Sequence, residues 1–213
     1  MIVSLALVLL VGCAGRLPVR EAMQENLKLP AGKIEGNQFT GIRYPFKVSV
    51  PPNWRMSTEF PTFLEKYGYD KPDPHDKEQN ELYIFQPETE SSMQFDLTPA
   101  DRYTRFSQEK IEAFVSMGAG SFQEELSKEF GKDVNTVISP TERVTLKGVQ
   151  LAAKKYATYI AKGVKREQGW IYGFTEPYQI FVLYMIVDKD GMGMKDREDM
   201  KKILDSFELM LTK

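Results

Sequence analysis

One cysteine and one histidine occur in 213 residues. A lone cysteine cannot close an intramolecular disulfide, and a lone histidine excludes the common histidine-rich zinc sites. A basic excess is also missing: 28 Lys and Arg face 30 Asp and Glu, for a formal net charge of −2. That excludes a broadly basic nucleic-acid-binding domain, and no nucleic-acid partner is expected. Neither GxSxG nor HExxH occurs, and Gly118-Ala119-Gly120 and Gly191-Met192-Gly193 do not extend into a dinucleotide or P-loop pattern. His75, between Pro74 and Asp76 in a polar stretch, reads as an exposed loop residue rather than a catalytic base. Carboxylates such as Asp96, Asp101 and Glu124 are plentiful, but no spacing rule places two of them across a sugar, so a carboxylate-only enzyme is the weakest reading. No catalytic residue, metal or cofactor is expected.

What is present begins at the N-terminus. Ile2 to Val11 is an apolar run interrupted only by Ser4, followed by Gly12, the only cysteine at Cys13, and a first charge at Arg16. A membrane helix needs roughly 20 apolar residues to cross about 30 Å of hydrocarbon, so this run is short for a permanent span and suits the centre of a secretory signal. Leu10-Val11-Gly12-Cys13 resembles the lipobox of bacterial lipoproteins, departing from the usual leader in having no Lys or Arg before the apolar run. The resemblance implies that residues 1–12 are a signal peptide, that Cys13 receives a diacylglycerol, and that the new amino terminus is acylated. The alternative is a secretory signal without lipid. With Ala14 rather than Asp after the cysteine, the expected location is the cell envelope, on the outer membrane facing the periplasm where the host has two membranes.

Residues 13–40 read as the lipidated cysteine and a polar tether, with Pro18, Pro30, Gly32 and Gly36 among charges of both signs; a helix docked on the domain is the alternative. One domain is then expected over 41–213. Ile42, Tyr44, Phe46, Val48 and Val50 alternate as in a strand, stopped by Pro51-Pro52, with Trp54 beyond as a core plug. Residues 60–80 form a polar excursion with a short helix at 62–66. Leu82 to Gln86 and Met93 to Leu97 predict two strands. A helical stripe runs through Phe106, Ile111, Phe114, Val115, Gly118, Phe122, Leu126 and Phe130, with a kink or split expected at Gly118 and Gly120. Strands follow at 142–146, 149–161, 169–175 and 178–187, the last too apolar for an edge and expected at the sheet centre. A final helix carries Met200, Ile203, Leu204, Phe207 and Leu211 on one face. This order predicts an α+β fold, an antiparallel meander sheet flanked by helices as an α/β/α sandwich.

The segment Tyr44-Pro45-Phe46-Lys47-Val48-Ser49-Val50-Pro51-Pro52-Asn53-Trp54 resembles the opening of the PsbP-like fold. The long helix, the Gly148 hairpin leading to Tyr156 and Tyr159, the strand 178–187 and Ile203-Leu204-Asp205-Ser206-Phe207 extend the resemblance over residues 41–211. That family includes the extrinsic photosystem II subunit, nuclear-transport accessory proteins and many bacterial lipoproteins. The resemblance implies a docking protein rather than an enzyme.

Three constellations remain. Lys154, Lys155, Lys162, Lys165 and Arg166 are the densest basic stretch, a candidate partner surface or a solvated face. Trp54, Trp170 and Tyr172 are candidates for a ligand groove or for plain core. Asp188 to Asp199 fails as an EF-hand loop, because Met192 stands at position 5 and Asp199 at position 12, and it reads as a turn. The functional expectation is a lipid-anchored, non-enzymatic envelope protein that docks a protein partner, with a small-ligand-binding lipoprotein as the alternative.

Overall fold

The structure is a computed structural model in which the described residues are 28–71, 80–100, 105–131 and 134–211. Leu10, Val11, Gly12, Cys13 and His75 lie outside them.

Two antiparallel sheets and two long helices make the architecture. The smaller sheet, in the order β1-β2-β3-β12, joins Gly32–Glu35, Gln38–Gly41, Phe46–Ser49 and Glu208–Leu209. The larger runs β4-β5-β6-β11-β10-β9-β7, built from Arg55–Ser57, Leu82–Phe85, Ser92–Pro99, Tyr178–Val187, Val164–Thr175, Leu151–Ala161 and Val137–Ile138, with β8 (Glu142–Arg143) also on β9. The meander is thus two meanders, joined where β6 pairs with β11. Helix α1 (Gln108–Phe130) covers one face of the large sheet; α2 (Gly193–Ser206) and the small sheet cover the other. The fold is α+β, an α/β/α sandwich. Among the described residues no helix is long and apolar enough to cross a membrane.

The tether expectation is corrected at its C-terminal end. Residues 32–41 are not linker but the β1–β2 hairpin, and β2 pairs with β3 through Phe39↔Val48. Gly36, at φ +60, supplies the left-handed position that a two-residue hairpin turn needs. Phe39 is the only large apolar residue in β2 and it is fully buried, its ring 5.1 Å from that of Phe46. One such residue is too weak a signal for periodicity to detect. The following strand is shorter than its alternation suggested: Ile42 is exposed, and the chain bends through Tyr44-Pro45 before β3 begins.

Helix α1 is continuous through Gly118 and Gly120, so the chain does not split there. Ser107 caps it, its Oγ accepting from the Lys110 N–H. The residues it buries, Ile111, Val115, Ala119, Phe122 and Leu126, step by three or four. They meet Ala153, Ala157 and Ala161 on β9, whose small side chains let the helix approach the sheet closely. Phe114, counted in the stripe from sequence, falls off that line and is half-exposed. Leu211 likewise lies partly exposed beyond α2.

Strand β11 occupies the centre as expected, with Ile180, Val182 and Ile186 buried on one face and Phe181 and Leu183 facing α1 on the other. Strand β10 begins at Val164, five residues earlier than its apolar content suggested. Lys162 and Gly163 (φ 51 and 78) close a two-residue hairpin that pairs Ala161 with Val164.

Candidate functional site

The large sheet's register decides which side chains share a face. On β10, Arg166, Gln168, Trp170, Tyr172 and Phe174 point toward α1, while Glu167, Gly169 and Ile171 point toward α2. The three groove candidates therefore separate. Trp54 sits in the core between the sheets and α2, 2% exposed, its indole N–H donating to Asp199 Oδ2 at 3.4 Å. Tyr172 is packed under α1, its ring centroid 4.4 Å from Phe114 and 5.8 Å from Phe106. Its hydroxyl donates to Gln179, and burial pushes it up to about 12. Trp170 lines an open space.

That space is a cavity of about 710 Å³ between α1 and the sheet. Trp170, Phe181 and Leu183 form its floor, and Gly118 of α1 stands over the indole, whose N–H donates to Val115 O at 2.8 Å. The polar excursion supplies a wall. The 3-10 helix Thr62–Tyr67 forms where expected, anchored by fully buried Leu64, and Gly68 at φ +80 turns the chain so that Tyr67 and Tyr69 both reach the cavity. Two hydrogen bonds hold the arrangement: Tyr159 Oη donates to Gln168 Oε1, and Gln168 Nε2 donates to Tyr69 Oη, both at 3.0 Å. Tyr67 donates to Glu90 Oε2 at 2.6 Å, and Lys66 bonds the other oxygen of that carboxylate. Burial raises the Tyr67 and Tyr69 hydroxyls well above the usual phenol range, so all of these tyrosines stay neutral at physiological pH. On the outer rim Phe114 is 50% and Met117 76% exposed. The cavity's volume lies within the range that small-molecule sites occupy.

Sequence reasoning missed Tyr67, Tyr69, Phe181 and Leu183. The Tyr67-Gly68-Tyr69 triplet inside a charged stretch was the available signal for two of them.

A second cavity of about 620 Å³ opens on the opposite face, beside α2. Its ionic groups are largely satisfied among themselves: Arg197 with Glu167 at 2.7 Å, Lys154 with Glu142 at 3.0 Å, and Lys201 with Asp205 at 2.7 Å. The Tyr184 hydroxyl, raised by burial and then by Glu167, donates to that carboxylate. Its ring lies over Gly169, where any Cβ would collide with it.

The five basic residues do not make one patch. Lys154 and Lys155 are neighbours on a strand and so face opposite ways: Lys154 pairs with Glu142, while Lys155 Nζ donates to Thr141 Oγ1 at 3.4 Å. Arg166 is 7% exposed and stacks between the rings of Tyr67 (4.9 Å) and Phe130 (5.4 Å). Lys162 reaches over the same Phe130 ring, and Lys165 is exposed on the other side of the sheet. Among the described residues no group of three or more His, Cys, Asp or Glu is placed to hold a metal ion. The 188–193 segment is a turn, in which Asp188 Oδ1 accepts from the Gly193 N–H.

No protein-family model matches the chain, and no curated protein matches it. Solved structures do. The solution structure of cyanobacterial PsbP from Synechocystis sp. PCC 6803 aligns over 85% of this chain and 100% of its own, at 9% identity and a TM-score of 0.54. The chain has the PsbP-like fold. LpqN, described as involved in cell envelope biogenesis of Mycobacterium tuberculosis, aligns over 84% of this chain and 87% of its own at 12% identity, with a TM-score of 0.48.

Proposed function

We propose that the chain is a lipid-anchored, non-enzymatic protein of the bacterial cell envelope that docks a protein partner through the α1 side of its PsbP-like domain. The observation that carries this reading is the pair Phe114 and Met117. Both are large and apolar, Phe114 half-exposed and Met117 largely exposed, and they sit one helical turn apart at the mouth of the aromatic cavity. A contiguous apolar lip beside a concave floor is the usual character of an interaction surface. Affinity capture from detergent-solubilised membranes is the test. The wild-type protein should recover a stoichiometric partner, and the double substitution Phe114→Glu, Met117→Glu should lose it while staying folded, with a Tm only a few degrees lower because the half-exposed Phe114 ring contributes about 1 kcal/mol. Recovery of the protein alone, or equal recovery by both forms, counts against the docking face.

The anchor is the second part of the proposal. Residues 1–12 are absent from the mature protein, and Cys13 carries diacylglycerol and an amide-linked acyl chain. At roughly 0.8 kcal/mol per buried CH₂, two or three chains hold the protein on the membrane where one is marginal. Cys13→Ser is expected to abolish lipidation and leave the domain folded, since residues 28–211 contain no cysteine and the substitution changes none of them. Intact-mass analysis of the membrane fraction checks this; a chain beginning at Met1, or a Cys13 without lipid, would overturn it.

A small-ligand-binding role is the second reading, favoured by the volume of the Trp170 cavity and its apolar floor.

A further inference from the structure

The charged side chains that line the Trp170 cavity are carboxylates. Among the described residues that line it, the only ionisable groups other than tyrosines are the carboxylates of Glu125 and Glu129, one helical turn apart on α1. Neither pairs with a Lys or Arg among the described residues: the carboxylate of Glu129 lies against Gly68, which has no side chain to contact it, and Glu125 faces outward. Arg166 is the nearby cation: it lies behind the wall, 4.9 Å over the Tyr67 ring and against the Tyr159 hydroxyl, where it offsets one of the two negative charges and leaves the balance negative. Much of the remaining wall is aromatic, with Tyr67, Tyr69, Phe114, Phe122, Tyr159 and Trp170 beside the aliphatic Met117 and Leu126. Aromatic faces attract cations through the ring quadrupole, most strongly for Trp and Tyr. Two unpaired carboxylates above such faces add a Coulombic preference of the same sign and repel an anion. The second cavity has no such bias, because its carboxylates are largely paired with Lys154, Arg197 and Lys201.

Resting on the small-ligand reading above, we infer that this cavity selects an organic cation with an apolar body, such as an alkylammonium, whose tail lies on Trp170, Phe181 and Leu183 and whose charged head sits beneath Glu125 and Glu129. The apolar floor contributes to binding any tail of suitable length, whereas the rim distinguishes heads.

Three probes sharing a decyl tail separate these contributions: decyltrimethylammonium, decyl maltoside and decyl sulfate, each below its micelle-forming concentration. Calorimetric titration gives affinities, and Trp170 fluorescence, compared with Trp170→Phe, places the probe in this cavity. The cation is expected to bind about tenfold more tightly than the neutral probe, and the sulfate more weakly than either. Added salt should narrow the spread. Glu125→Gln with Glu129→Gln, at two exposed positions where folding is unaffected, should bring the cation to the affinity of the maltoside and leave the maltoside unchanged. Equal binding of all three probes overturns the charge inference while leaving the cavity a ligand site. Binding of none overturns the ligand reading itself, and with it the inference.

Discussion

Phe207→Ala is expected to lower the stability of the domain by about 3–5 kcal/mol, the usual range for removing a fully buried aromatic side chain. Phe207 is fully buried at the C-terminal end of α2. Its ring stacks on Phe46 of β3 at 5.7 Å and on Phe95 of β6 at 5.9 Å, and Phe46 and Phe95 lie 6.2 Å apart. Three rings thus bring the small sheet, the large sheet and the last helix to one point. Neighbours fixed by three separate elements cannot collapse into the space that a truncation leaves, which places the cost toward the upper part of that range. For a domain of this size the loss corresponds to a fall in Tm of roughly 10 °C. Phe114→Ala is the contrast: that ring is half-exposed, and the same deletion should cost about 1 kcal/mol. Thermal and urea unfolding of the two variants measure the difference. Equal losses, or a loss at Phe207 below that at Phe114, would contradict this account of the core.

Arg43→Met is expected to have the next largest effect and to depend on pH. Arg43 Nη1 bonds Glu81 Oε1 at 2.8 Å, with both side chains almost fully buried, while Nε and Nη2 donate to Leu29 O where the chain enters the domain. Burial raises the Glu81 carboxyl from 4.5 to about 7 against the opposing pull of Arg43, and the nearby charge of Asp96 adds to the rise. A carboxyl whose folded value lies above its unfolded value contributes stability that is full below the unfolded pKa and lost as pH rises through the folded one. Here that window runs from about 4.5 to about 7. The wild-type protein should therefore lose on the order of 2 kcal/mol between pH 5 and pH 8 through this group, and Glu81→Gln should flatten that part of the profile. At pH 8 Arg43→Met strands a buried carboxylate and should cost about 3 kcal/mol. At pH 5 Glu81 is largely protonated in both forms, and the cost should shrink by about 1.4 kcal/mol. Urea midpoints at the two pH values supply the measurement; a cost that does not change with pH would show that Glu81 does not titrate in this window.

The candidate site was half legible. Trp170 and Tyr172 alternate on a strand, which places both on one face, and Lys154 with Lys155 obeys the same rule in reverse, so their separation onto opposite faces could have been read directly. Whether a buried aromatic borders a space or is packed tight depends on what the opposite layer brings to it. Tyr172 receives Phe106 and Phe114; Trp170 receives Gly118, which leaves room beside the indole. Nothing local to either residue carries that difference.

The sequence by itself determined the elements whose side chains repeat with one period over many residues: the apolar strand 178–187, the helix through Ile111 and Leu126, and the last helix through Met200 and Ile203. It also determined the fold class that follows from their order. Tertiary structure decided the rest. The β1–β2 hairpin has a single buried aromatic, and the first turn of β10 is rich in charge, so each holds its strand form through partners far along the chain, Val48 for Phe39 and Val187 for Arg166. The cavity likewise joins Tyr67 and Tyr69, Glu125 and Glu129, and Trp170, three stretches with no common period. Local periodicity records burial along one element, whereas a concave site is formed by the faces that separate elements turn toward one another, and only their packing fixes those.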